Sequence, residues 1–174
     1  INYGDFNQPV SKKIKINNSL NGIFNFTVAN LNGTNEETVL VDVGPYSDNK
    51  FIYYSLVNSA IVDREPVDWD ILFTKYEEEY VTLNGDTMPY IVTGALTNDN
   101  FVAKYDGFVD IVPQFETLNF IFNINKIGYD WKQYSGEYAI VDNRSYYIMN
   151  QEQESLHKII FQSFEGGVSG NMSF

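Results

Sequence analysis

Acidic residues flank both tryptophans of this chain, in Asp68-Trp69-Asp70 and in Asp130-Trp131. Glycoside hydrolysis needs two carboxylates about 5–10 Å apart across a cleft. Spacing along a chain does not set that distance. Acids beside a strand tryptophan also serve architecture, by accepting backbone amides at a turn or by pairing with Lys75 or Lys132. That is the role expected for Asp68, Asp70 and Asp130. Nucleophilic catalysis has less to work with. There is no G-x-S-x-G stretch, and the only histidine, His157, falls in a predicted strand with no evident serine partner. The absence of Cys removes thiolate nucleophiles, disulfides, zinc ribbons and iron–sulfur clusters. Asn84-Gly85-Asp86 and Asn98-Asp99-Asn100 lack the alternating acids of a calcium loop and read as turns. Gly166-Gly167 and Gly170 follow the last long strand and read as a turn, not a phosphate loop. The expectation is a chain that is not an enzyme, with no catalytic set and no metal site.

The elements that must position these residues are strands. Aromatics make up 16% of the 174 residues, with 13 Tyr and 13 Phe. Large flat and β-branched side chains suit pleated surfaces, and the good helix formers Ala and Leu are scarce. Formal net charge is −12, from 23 acids against 11 bases. The densest basic run is Lys12-Lys13-Lys15, too little to neutralise a phosphate backbone, so no nucleic-acid partner is expected. No apolar run approaches the roughly 20 residues of a membrane-spanning helix.

Alternation begins after Gly22, with Phe24, Phe26 and Val28 on one face, and resumes in Val39, Val41 and Val43 until Gly44-Pro45 stops it. Further strands are predicted over 51–56, over Trp69, Ile71 and Phe73, and over 90–92, 101–104, 120–124, 138–141, 146–149 and 156–164. Asn32-Gly33 and Asn84-Gly85 mark tight turns. Glu77-Glu78-Glu79 reads as an exposed edge, where like charge discourages edge pairing. Turns every eight to twelve residues or so suit a sandwich or barrel. The fold expected is all-β, two packed antiparallel sheets in a sandwich or roll, with Trp69 and Trp131 in or against the core. Residues 1–20 read as an extended lead-in and 21–174 as a single β domain.

The order of these pieces resembles the HmuY-like family of bacterial surface proteins. The resemblance is carried by Tyr53-Tyr54-Ser55-Leu56, by Trp69-Asp70-Ile71-Leu72-Phe73, and by Tyr146-Tyr147-Ile148-Met149 leading to His157-Lys158-Ile159-Ile160-Phe161. It covers roughly residues 36–174. It implies a non-enzymatic binding domain, on the outer face of the outer membrane of a Gram-negative bacterium or secreted from it. Founding members capture haem between two axial His or Met side chains, so haem or another porphyrin is the implied cofactor.

This chain has His157, Met88, Met149 and Met172 to choose from. Met149 reads as core filler, and Met88 as a loop residue before Pro89. Met88 and His157 are the candidate haem-ligand pair, although neither aligns with the family's ligands. A field of −12 also disfavours the propionates. The alternative is an accessory subunit that docks without haem to an outer-membrane or secreted protein, using Tyr-rich flanks. Asp86-Thr87-Met88 resembles the O-glycan acceptor triplet of some Gram-negative surface proteins, which makes Thr87 a glycosylation candidate. Lipoprotein anchoring needs an N-terminal Cys, which Ile1 is not. The expectation is therefore free secretion, or an anchor that precedes these residues.

Overall fold

The computed structural model describes residues 2–5, 8–62, 64–66, 68–82 and 84–174, with side chains described from residue 11 onward. Ile1, Phe6 and Asn7 of the expected lead-in lie outside the described residues. The chain gathers into two compact units, Ile1–Val67 and Asp68–Phe174. The sequence places no boundary near 67 within its expected domain of 21–174. All ladders among the described residues are antiparallel, as the composition and alternation predict.

The first unit holds β1 (Asn2–Asp5), β2 (Gln8–Leu20), β3 (Ile23–Asn30) and β4 (Glu37–Asp42), hydrogen-bonded in that order. The expected lead-in is therefore sheet, with Lys12 opposite Asn30 and Leu20 opposite Ile23. The alternation read in β4 is real: Val39 and Val41 are buried while Leu40 and Asp42 face outward. A separate hairpin joins β5 (Tyr53–Ser55) to β6 (Ala60–Val62). Ser59 takes the left-handed turn position there, at φ 50°.

The second unit opens with the long hairpin of β7 (Ile71–Val81) and β8 (Thr87–Thr97). Its turn places Gly85 at φ 86°, as Asn84-Gly85 predicts. Then come β9 (Phe101–Asp106), β10 (Ile121–Phe122), β11 (Lys132–Tyr134), β12 (Tyr138–Ile140), β13 (Arg144–Met149), β14 (Leu156–Ile159), β15 (Ser163–Phe164) and β16 (Met172–Ser173). One four-stranded sheet runs β10-β9-β13-β14, and β11-β12 and β15-β16 form two-stranded ladders.

The core of this unit is Trp131 against Phe161, stacked at 4.0 Å and 9°, with Phe164 edge-on to Trp131 at 5.5 Å. Ala95, Val102, Ile127, Tyr146, Ile148 and Ile159 complete it. Aromatic pairs in offset or edge geometry contribute beyond their buried area, about 0.5–1.5 kcal/mol each. Trp69 is half-buried and precedes β7, so the strand predicted to start at Trp69 begins at Ile71.

Backbone contact at glycine ties the hairpin to the core. Ala95 N–H donates to the Gly128 carbonyl at 2.9 Å, and Gly128 N–H returns a bond to the Ala95 carbonyl at 3.0 Å. A Cβ at Gly94 would lie 2.6 Å from the Gly128 oxygen, so only glycine permits this approach. The same Gly128 oxygen accepts Trp131 Nε1–H at 3.1 Å. One carbonyl thus fixes the strand and the core indole together, and it sets where Lys132 emerges.

Candidate functional site

A cleft of about 440 Å³ lies beside this junction. Its walls are Lys75, Tyr80, Tyr90, Ile91, Val92, Thr93, Tyr129, Lys132, Gln133, Tyr134, Tyr138 and Gly167. That volume falls within the range of small-ligand sites, which combine an apolar lining with a few placed polar groups. Tyr80 and Tyr90 make a tilted ring pair at 6.0 Å, and Tyr134 and Tyr138 another at 4.9 Å. The first pair follows from the β7–β8 ladder and the second from the β11–β12 ladder, where Tyr134 faces Tyr138.

Two cations meet in the cleft. Lys132 Nζ donates to the Thr93 carbonyl and, at 3.4 Å, to that of Tyr129. It sits 4.0 Å from the centre of the Trp131 ring and 4.9 Å from that of Phe164, in cation–π geometry. Burial pushes its amine down to about 8, against the opposing charge of Asp130. Lys75 is the cross-strand partner of Thr93. Among the described residues neither lysine has a carboxylate oxygen within 4 Å.

Asp130 is occupied elsewhere. Its carboxylate accepts Lys104 Nζ at 2.8 Å and the Tyr146 hydroxyl at 2.8 Å, and lies 3.3 Å from Arg144. Arg144 also donates to the Asp130 carbonyl at 2.7 Å and to Asp106 at 2.6 Å. Burial raises the Asp130 carboxyl. The Lys104 and Tyr146 hydrogen bonds and the two positive charges outweigh that, and hold it below the usual carboxylate range. Burial, together with Asp130, pushes the Tyr146 phenol well up. Asp130 pairs with Lys104 and Arg144, where the sequence pointed to Lys132 or Lys75. Asp70 accepts Asn100 Nδ2–H at 3.1 Å, and its carbonyl accepts Asn98 N–H, which closes the turn read from Asn98-Asp99-Asn100. No cluster of three or more His, Cys, Asp or Glu suited to a metal ion occurs among the described residues.

The candidate haem ligands stand apart from the cleft. Met88 was expected in a loop, but it lies in β8 opposite Tyr80 and is 47% exposed. The eleven-residue ladder runs through Pro89 because β8 is paired there only with β7, where Pro89 lies opposite Glu79. His157 lies exposed in β14 opposite Ile148. These two occupy separate sheets, and neither lines the cleft. Met149 is buried, as expected of core filler, and Met172 packs against the core from β16. Thr87 is exposed in β8, opposite Val81 and next to the hairpin turn.

Lys132 escaped the sequence reading except as a partner for Asp130. No local pattern marks its contact with Trp131, because successive side chains of extended chain point to opposite faces and the cation–π geometry arises only in the fold. Comparison with family models, with curated proteins and with solved structures found no match to this chain.

Proposed function

We propose that this chain is a non-enzymatic binding domain, with the tyrosine-lined cleft of the 68–174 unit as its ligand site. The observation that carries this reading is a concave, aromatic-walled cleft whose polar groups converge on Thr93. The carboxylates nearest the core support it too, because Asp130 is committed to holding β9 and β13 together. A cell-surface or secreted setting rests on the HmuY-like resemblance. Haem capture, which the same resemblance implies, would need two axial ligands, and Met88 and His157 lie on separate sheets. Haem is therefore tested beside other ligands.

The experiment is an amide chemical-shift titration of the ¹⁵N-labelled chain with a panel of small aromatic, saccharide and carboxylate probes, hemin included. Saturable shifts centred on Thr93, Tyr129, Lys132 and Tyr134 are expected from at least one probe. Shifts confined to other surfaces would contradict the reading. A Soret shift abolished by Met88→Ala or His157→Ala would move the site to those residues.

A second reading is docking to an outer-membrane or secreted protein without a small ligand. It is favoured by the outer half of the β7–β8 hairpin, where Tyr80, Val81, Met88, Tyr90 and Ile91 are all exposed. Tyrosine and methionine are enriched in interface cores. Stoichiometric recovery of a membrane or secreted protein in a native pull-down, lost on Tyr90→Lys, is the outcome expected of docking.

A further inference from the structure

We infer that the cleft takes an acidic sugar, a uronic or sialic acid unit whose carboxylate lies between Lys75 and Lys132 and whose ring lies against the tyrosine faces. The inference rests on the reading of the cleft as a ligand site. Charge is its first support. The chain carries 11 bases against 23 acids, yet two of the bases face one cleft where, among the described residues, no carboxylate oxygen lies within 4 Å of either. Holding an ammonium half-buried without an ion pair is costly, and a ligand carboxylate offsets part of that cost.

Geometry is the second support. Both cations gather at Thr93. Lys132 Nζ bonds its carbonyl. Lys75 Nζ and Thr93 Oγ1 lie 3.8 Å and 3.3 Å from where a Cβ on Gly167 would stand. Glycine at 167 keeps that space open. An ammonium has three donors, and Lys132 spends two on the Thr93 and Tyr129 carbonyls, which leaves one for a ligand.

The third support is the kind of wall. Tyr134 and Tyr138 offer ring faces with a hydroxyl at the edge, and Gln133 and Thr93 add an amide and a hydroxyl. Aromatic faces suit the C–H faces of a pyranose, and the polar tips suit its hydroxyls. A purely aromatic acid would use the lysines and leave these hydrogen-bonding groups idle.

The test titrates the intact ¹⁵N-labelled chain with glucuronate, N-acetylneuraminate, their methyl glycosides, glucose and benzoate. Saturable shifts at Thr93, Lys132 and Tyr134 are expected with at least one of the acids. Glucose should bind about tenfold more weakly or worse, as expected when a charge-assisted hydrogen bond is lost. Methyl glycosides that match the free acids mark a glycan end as the source, and loss on methylation marks the free acid. Lys75→Met, an exposed substitution that leaves the core intact, should weaken the acid about tenfold and glucose far less. Equal binding of glucose and the acids, or indifference to Lys75→Met, overturns the inference. Shifts in the cleft with benzoate or hemin but with neither sugar acid also overturn it, and leave the cleft standing as a ligand site. Shifts there with no probe remove both.

Discussion

Two side chains two positions apart in the chain divide the labour of charge. Asp130 is held by Lys104, Arg144 and Tyr146. Its carboxyl is depressed in the folded state, so its stabilisation is complete above the unfolded carboxylate value of about 3.8 and fades as pH falls through the lower folded value. The Asp130 side chain is 46% exposed, which discounts the pair for solvent screening. Asp130→Asn should cost about 1–2 kcal/mol at neutral pH and flatten the acid limb of a thermal-melt series. Lys132 behaves in the opposite sense. Its amine is lowered from 10.5 to about 8, so between those values the folded chain holds fewer protons than the unfolded one. Stability attributable to Lys132 therefore rises with pH across that window, while affinity for an anion falls as pH passes about 8. The groups facing it are Lys75, Tyr129, Tyr134 and Tyr138, with Asp130 acting at longer range. Lys132→Met should abolish both trends, read by denaturant melts and by titration at pH 7 and 9.5.

At the scale of elements, the β7–β8 hairpin and the 127–132 segment make the site by touching. Gly94 is the position where that contact is most exacting, since an added Cβ would sit 2.6 Å from a backbone carbonyl that cannot move without disturbing Trp131. Gly94→Ala should cost about 1–3 kcal/mol, read as a lower urea midpoint at unchanged slope. It should also weaken ligand binding, because Thr93 and Lys132 shift relative to one another. Elements were legible where patterning is local. Val39 and Val41 alternate with Leu40 and Asp42 as read, and Asn84-Gly85 makes its hairpin turn. The strand predicted over 51–56 shrinks to Tyr53–Ser55, and Met88 leaves its predicted loop for a ladder. In both places tertiary pairing, which a local pattern does not carry, decides the outcome.

For the whole molecule, the all-β class was written in composition, because aromatic and β-branched side chains need a pleated surface wherever the strands lie. Sheet membership was not. The sequence predicts two packed sheets, and among the described residues the ladders divide among six, two of them in the first unit and four in the second. The cleft was less legible still. It draws on Lys75, Thr93, Lys132, Tyr138 and Gly167, residues spread over most of the second unit and joined only by folding. Net charge of −12 pointed away from anionic ligands. A local field can depart from the total: among the described residues, two lysines line one concavity with no carboxylate oxygen within 4 Å of either.

The central claim is that this concavity is where the chain binds its ligand. Mapping amide shifts over the intact ¹⁵N-labelled protein, with the small-molecule panel in turn, tests it most directly. Saturable changes gathered at Thr93, Tyr129, Lys132 and Tyr134 are the predicted result. Saturable changes gathered at His157 and Met88, with the cleft silent throughout, would contradict it.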